Sequence, residues 1–245
     1  EVIYMLKAVL FDLDGTLLPM DEQEFTKGYF GLLCRRLTPL GYDKDLLIKT
    51  VWEGTKLMLK NDGSKTNEEV FWEHFGLIYG KDKLKDKEEI DNFYLTDFKN
   101  SKVMTKDNPY AKEIVDFIRS LGLKTIIASN PVFPKDGMLT RMGFINLKES
   151  DFDYITSYEV SHFCKPNTKY YEEILKKNNL KPDEVIYFCN NESDDYIPAT
   201  KCNITSYYIG DCIMPLSKES KMHVYKYEEV KDIILKEISK RQSND

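Results

Sequence analysis

The chain has 245 residues, long enough to bury a full core as one α/β domain with an insertion or as two modest domains. With 42% hydrophobic residues, 31% charged residues and a net charge of −6, it has an ordinary globular composition and no electrostatic case for binding nucleic acid or an anionic membrane. No apolar run approaches the ~18 residues that span a bilayer, and Lys7 breaks the short amino-terminal apolar stretch that a signal peptide would need, so a cytoplasmic location is expected.

Met5 is a candidate natural start, with Glu1–Tyr4 upstream of it. Leu6, Ala8, Val9, Leu10 and Phe11 then form a short apolar run, as expected of a strand covered on both faces. Turn chemistry ends it: Asp12-Leu13-Asp14-Gly15-Thr16. Residues two apart on an extended segment point to one side, so Asp12 and Asp14 can face the same small volume at the strand's carboxyl end, where ligands of open α/β sheets bind. Two carboxylates that close repel by ~4 kcal/mol at ~4 Å and an effective dielectric near 20, which asks for a cation or an acid/base split. Oxygen-only donors suit a hard cation such as Mg²⁺. A calcium loop counted from Asp12 fails, since its sixth and twelfth places hold Leu17 and Gln23 rather than glycine and glutamate.

After Leu18 the periodicity becomes helical, with helices expected near 22–40, 44–60, 67–79 and 88–100, and with Thr66 or Asn67 capping the third. Aromatics in these segments, among them Phe25, Tyr29, Trp52, Tyr79, Phe93, Tyr94 and Phe98, are expected mainly as core, and the mixed-charge run 81–89 as a solvated linker or helix end. From Pro109 helices and strands alternate: a helix near 110–121, a strand 123–128, a helix near 135–142, a strand 152–155, a helix near 168–178, a strand 185–189, a helix near 194–201 and a strand 205–209. A closing helix near 228–239 and a frayed tail from Arg241 complete the pattern. Alternation of this kind means parallel β-α-β crossovers. The five cysteines, Cys34, Cys164, Cys189, Cys202 and Cys212, show no Cys-x-x-Cys spacing and are expected as reduced structural thiols.

Three further stretches fall where chemistry is expected. Ser129-Asn130 follows a buried strand and offers a hydroxyl and an N–H to an anion. Lys165-Pro166 precedes a helix start at Asn167 or Thr168, and the proline ring directs the backbone that carries the lysine. Asn190-Asn191-Glu192-Ser193-Asp194-Asp195 follows the Val185–Cys189 strand with three acids.

Taken in order, Asp12, Asp14, Thr16, Ser129, Lys165 and Asp195 resemble the four motifs of the haloacid dehalogenase superfamily: Asp-x-Asp-x-Thr, a Ser or Thr after a strand, Lys-Pro before a helix, and an acidic loop after a later strand. The resemblance covers nearly the whole chain. It implies an α/β fold in which a Rossmann-like parallel-sheet core, residues 1–18 and 109–245, carries an inserted α-helical cap, residues 19–108, as in the phosphoglycolate phosphatase-like and β-phosphoglucomutase-like subgroup. It also implies Asp12 as nucleophile and Asp14 as general acid/base, with Asp14 pointing to phosphoryl transfer rather than dehalogenation. Thr16, Ser129, Asn130 and Lys165 become phosphate-binding residues, and Asp12, Asp14, Asn190 and Asp195 hold Mg²⁺. The fourth motif departs from the family, because Cys189 and Asn190 stand where Gly and Asp are usual. The expected function is Mg²⁺-dependent hydrolysis of a small phosphorylated metabolite through an aspartyl-phosphate. The alternatives are a sugar phosphomutase and a phosphate-ligand-binding protein with weakened turnover.

Overall fold

A computed structural model of the chain describes residues 5–242. Six parallel strands form one sheet in the order β3-β2-β1-β4-β5-β6: β1 (Ala8–Phe11), β2 (Lys124–Ile127), β3 (Tyr154–Ile155), β4 (Val185–Cys189), β5 (Thr205–Ile209) and β6 (Val224–Tyr225). β1 lies between β2 and β4, Leu10 pairing with Ile126 on one side and Tyr187 on the other, so the strand order reverses next to β1. That reversal opens a crevice at the carboxyl ends of the strands.

Alternation along the strands divides the sheet's side chains between two apolar layers. Val9, Phe11, Ile127, Ile186 and Phe188 pack with Ile114, Val115 and Ile118 of α5 (Tyr110–Ser120) and with Val230, Ile233 and Ile234 of α9 (Val230–Gln242). Ala8, Leu10, Ile126, Ala128 and Tyr187 pack with Tyr170, Tyr171 and Ile174 of α7 (Thr168–Asn178). Both faces are thus covered, which is why β1 and β4 read as unbroken apolar runs.

Four helices lie between β1 and α5: α1 (Glu22–Leu37), α2 (Lys44–Leu59), α3 (Asn67–Tyr79) and α4 (Lys87–Leu95). Their starts are locally encoded. Asp21 accepts from the N–H groups of Gln23 and Glu24, Asp43 from that of Leu46, and Thr66 with Glu69 forms a reciprocal capping box. Phe25, Tyr29, Phe93, Tyr94 and Phe98 are buried as expected, Tyr79 only partly, whereas Trp52 is 44% exposed and is not core. The 81–86 stretch is a 3-10 turn in which Lys83 donates to the Leu40 carbonyl and to Asp86.

Several boundaries differ from the expectation. The fourth inserted helix ends at Leu95, and a 3-10 segment follows over Asp97–Met104. The stretch expected as one helix from Asp194 is a single π turn, Glu192–Tyr196, running into the short α8 (Ile197–Lys201), whose second residue is Pro198. The two-residue edge strand β6 carries no readable period and was not foreseen. The closing helix starts at Val230 and continues through Gln242, so Arg241 and Gln242 are helical; residues 243–245 of the expected tail, and the residues before Met5, lie outside the described residues. All five cysteines are free thiols, and Cys34, Cys164 and Cys189 are buried. No helix among the described residues is long and apolar enough to cross a membrane.

Candidate active site

Asp12 sits one residue past β1, its N–H donating to the Phe188 carbonyl of β4, and its side chain is buried at the centre of the crevice. Gly15 makes the following turn with φ +77°, and a Cβ there would lie 2.2 Å from Nδ2 of Asn190, so only glycine lets the turn press against the Asn190 loop. The Thr16 hydroxyl lies 3.0 Å from Asp12 Oδ2 and 3.1 Å from Asn190 Oδ1. Thr16 is fully buried beneath the site, so its side chain braces Asp12 and Asn190 instead of facing the cavity.

Lys165 arrives from the loop before α7 with its ammonium buried. It donates to Asp12 Oδ1 at 2.7 Å and to the Tyr187 hydroxyl at 3.0 Å, and forms an ion pair with Asp195 Oδ1 at 2.6 Å. Burial alone would push the ammonium's pKa down, but Asp12 and Asp195 outweigh it and hold the group well above its ordinary value. The lysine is thereby committed to the chain's own oxygens. Asp195 is equally engaged: Tyr187 donates to Oδ1 at 2.7 Å and the Asn191 N–H to Oδ2 at 3.2 Å. Asp12 shows the converse. Desolvation, joined by the charges of Asp195 and Asp14, raises its carboxyl to about 7 in spite of Lys165.

Asp14 is held from the side by a residue that the sequence reading missed. Arg141 of α6 (Lys135–Gly143) is buried, stacks its guanidinium 4.2 Å from the Phe133 ring and donates through Nη1 to Asp14 Oδ2 at 2.7 Å. The Ser129 hydroxyl lies 3.4 Å from the same oxygen. Asp14 Oδ1 is buried without any partner. Asn130 lines the cavity and accepts the Lys165 N–H through its side-chain oxygen at 3.2 Å. Asn190 uses both ends of its amide, accepting from Thr16 and donating to the Cys212 carbonyl at 2.8 Å, which no carboxylate at this position could do.

These side chains form one end of a cavity of about 240 Å³ that continues between the inserted helices. Glu22, in the first turn of α1, borders its mouth. The outer edge of Glu22 is open to solvent, yet burial of the remainder and the charges of Asp14 and Asp195 push its carboxyl up to about 7. Five carboxylates, Asp12, Asp14, Glu22, Asp194 and Asp195, line the cavity against two cations, Lys165 and Arg141. A phosphate dianion entering such a cavity would be repelled unless a further cation came with it.

The donors present suit Mg²⁺ in kind: hard oxygens, a negative balance and the orphaned Asp14 Oδ1. Among the described residues no three His, Cys, Asp or Glu side chains group into a closed metal cage. Mg²⁺ needs none, because it usually keeps several waters and takes one or two carboxylates.

The sequence candidates Asp12, Asp14, Thr16, Ser129, Asn130, Lys165, Asn190 and Asp195 thus meet at the ends of β1, β2 and β4 and the loop before α7. Glu22, Arg141 and Tyr187 join them unforeseen. An arginine inside a helical pattern reads as a surface charge, and a tyrosine in a buried strand reads as core; no local signal marks either.

A family model of haloacid dehalogenase-like hydrolases matches residues 6–194. The glyceraldehyde 3-phosphate phosphatase of Methanothermobacter thermautotrophicus is 24% identical over 91% of the chain and 92% of that protein. A phosphorylated carbohydrates phosphatase of Thermotoga maritima is 25% identical over 77% of the chain and 78% of its own length. Among solved structures, a HAD phosphatase from Thermococcus onnurineus superposes with a TM-score of 0.58 at 19% identity, covering 94% of this chain and 98% of that one.

Proposed function

The chain belongs to the haloacid dehalogenase-like hydrolases, and from that membership and the site's geometry we propose that it is a Mg²⁺-dependent phosphatase of small phosphate monoesters. The carrying observation is Asp12, fixed between Lys165 and Thr16 on the cavity floor, with Asp14 beside it keeping one buried oxygen unpartnered. Asp12 is the nucleophile. A carboxylate oxygen of Asp12 attacks phosphorus, the bond from phosphorus to the ester oxygen breaks, and the Asp14 carboxyl delivers a proton to the departing oxygen. In the second step Asp14 takes a proton from water as that water attacks the aspartyl-phosphate, returning Asp12 and releasing phosphate.

Lys165 fixes the direction of Asp12 and screens it from the incoming dianion. Arg141, by bonding Oδ2 at 2.7 Å, holds the Asp14 carboxyl beside Asp12. Ser129 and Asn130 offer donors to the non-bridging oxygens. Asp12, the Asp14 carbonyl and the loop of Asn190 and Asp195 would hold Mg²⁺, which supplies positive charge against the phosphoryl oxygens when bound. Residues 19–108 serve as the cap and residues 1–18 and 109–245 as the core, the cap closing over the cavity to exclude bulk water. A cytoplasmic small phosphorylated metabolite is the intended substrate.

The rival reading, a phosphate-binding protein with little turnover, draws on Asn190 in place of an acid. One experiment separates the two: phosphate release from an aryl phosphate with and without Mg²⁺, for the natural chain and Asp12→Asn, alongside acid-quench detection of the phosphoenzyme. Mg²⁺-dependent release and a phosphoenzyme that both vanish in Asp12→Asn support the phosphatase. Saturable binding of inorganic phosphate without turnover would favour the binding protein.

A further inference from the structure

We infer that the group esterified to the phosphate is apolar and flat, an aromatic ring or a comparable hydrocarbon, rather than a polyol or sugar. The inference rests on the phosphatase reading above and concerns the far half of the same cavity. There the wall is built from Phe30 of α1, Val51 and Trp52 of α2, and Phe71, Trp72 and Phe75 of α3. The rings lean on one another, with centroids 5.4 Å apart for Phe30 and Trp52 and 5.1 Å for Trp72 and Phe75.

The polar groups along this wall are few, and each is already turned towards another group of the chain. The Tyr29 and Tyr94 hydroxyls bond each other at 2.9 Å, Thr55 donates to the Val51 carbonyl of its own helix at 2.9 Å, and the Trp72 N–H donates to the Tyr158 hydroxyl at 3.2 Å. Glu22 and Thr26, one turn apart on α1, remain near the catalytic end. A sugar carries a hydroxyl on nearly every carbon, and each one buried without a partner weakens binding by roughly tenfold or more. A ring would meet only carbon and ring faces. Size agrees as well: an apolar cavity of ~150 Å³ holds benzene, and the whole cavity of about 240 Å³, catalytic end included, is of the order that one ring with its phosphate fills.

The chain has two tryptophans, Trp52 and Trp72, and both line this wall, so occupancy reads out as intrinsic fluorescence independently of turnover. The test compares 2-phenylethylphosphonate with 2,3-dihydroxypropylphosphonate, both unhydrolysable, in the presence of Mg²⁺. It then compares turnover of 2-phenylethyl phosphate with glycerol 3-phosphate, whose leaving groups are both aliphatic alcohols. Saturable perturbation of tryptophan emission by the phenyl compound, at least about tenfold tighter than by the diol, and a matching preference in kcat/KM are expected. Equal or tighter binding of the diol, or equal or faster turnover of glycerol 3-phosphate, overturns the inference and leaves the phosphatase reading intact. No turnover of either ester with the phenyl preference in binding preserved overturns the phosphatase reading and upholds the apolar pocket.

Discussion

Replacing Lys165 by methionine tests the electrostatic construction of the site most directly. The ammonium lies 2.7 Å from Asp12 and 2.6 Å from Asp195, all three groups being buried. At an effective dielectric near 20 each contact is worth about 6 kcal/mol in gross attraction, most of it offset by desolvation. Removing one partner of a buried ionic cluster nevertheless costs about 3–5 kcal/mol, because the other charges are left uncompensated. For a chain of this size that predicts a fall in Tm of roughly 6–20 °C at pH 8. The deficit has a signed pH dependence. Without Lys165, Asp12 loses its main downward influence and holds its proton to still higher pH, so the folded variant binds more protons than the unfolded chain and loses stability as pH rises. Calorimetry at pH 5 and pH 8 should therefore find the variant closer to the natural protein at pH 5. A Tm change under 2 °C, or a deficit of equal size at both pH values, would refute the three-way pairing.

Two further outcomes are expected. Asn190→Asp loses the donor to the Cys212 carbonyl and sets a carboxylate against it, so without Mg²⁺ the variant should lose about 1–3 kcal/mol and melt several degrees earlier, then recover more on Mg²⁺ addition than the natural chain does; a metal-free Tm equal to the natural one would contradict this account of the asparagine. In the metal-free site Asp12 titrates at about 7, raised chiefly by burial; as the nucleophile must be ionised, kcat/KM should climb with pH to a plateau above that value at limiting Mg²⁺, and the limb should move to lower pH as Mg²⁺ saturates. An acid limb fixed at one pH across Mg²⁺ concentrations would argue against Asp12 as the group that titrates.

The parts of this molecule that sequence reasoning reaches are those whose cause is local. Thr66 with Glu69 starts α3 by itself, and the apolar runs of β1 and β4 declare their own burial. Asp12, Ser129 and Lys165 are locatable because each follows a strand or precedes a helix, and the topology of a parallel sheet carries such positions to a common edge. Arg141 and Tyr187 are different in kind. Their importance lies in contacts with Asp14, 127 positions away, and with Lys165, 22 positions away, and no neighbouring residue records either. The aromatics of α1, α2 and α3 have the spacing of a core, and that spacing is the same whether the rings close on one another or leave a cavity between them.

The turn after Asp12 is also tied to the far end of the chain. The Tyr227 hydroxyl donates to the Thr16 carbonyl at 2.6 Å across 211 positions of sequence, and Gly210, at φ +83°, leaves room for that ring. During synthesis the turn that carries the nucleophile leaves the ribosome 211 positions ahead of the tyrosine that braces it, so the loop is pinned only after β6 and the 3-10 turn that follows it have emerged. A nascent chain halted short of residue 227 would already own every reactive group identified above and still lack this brace.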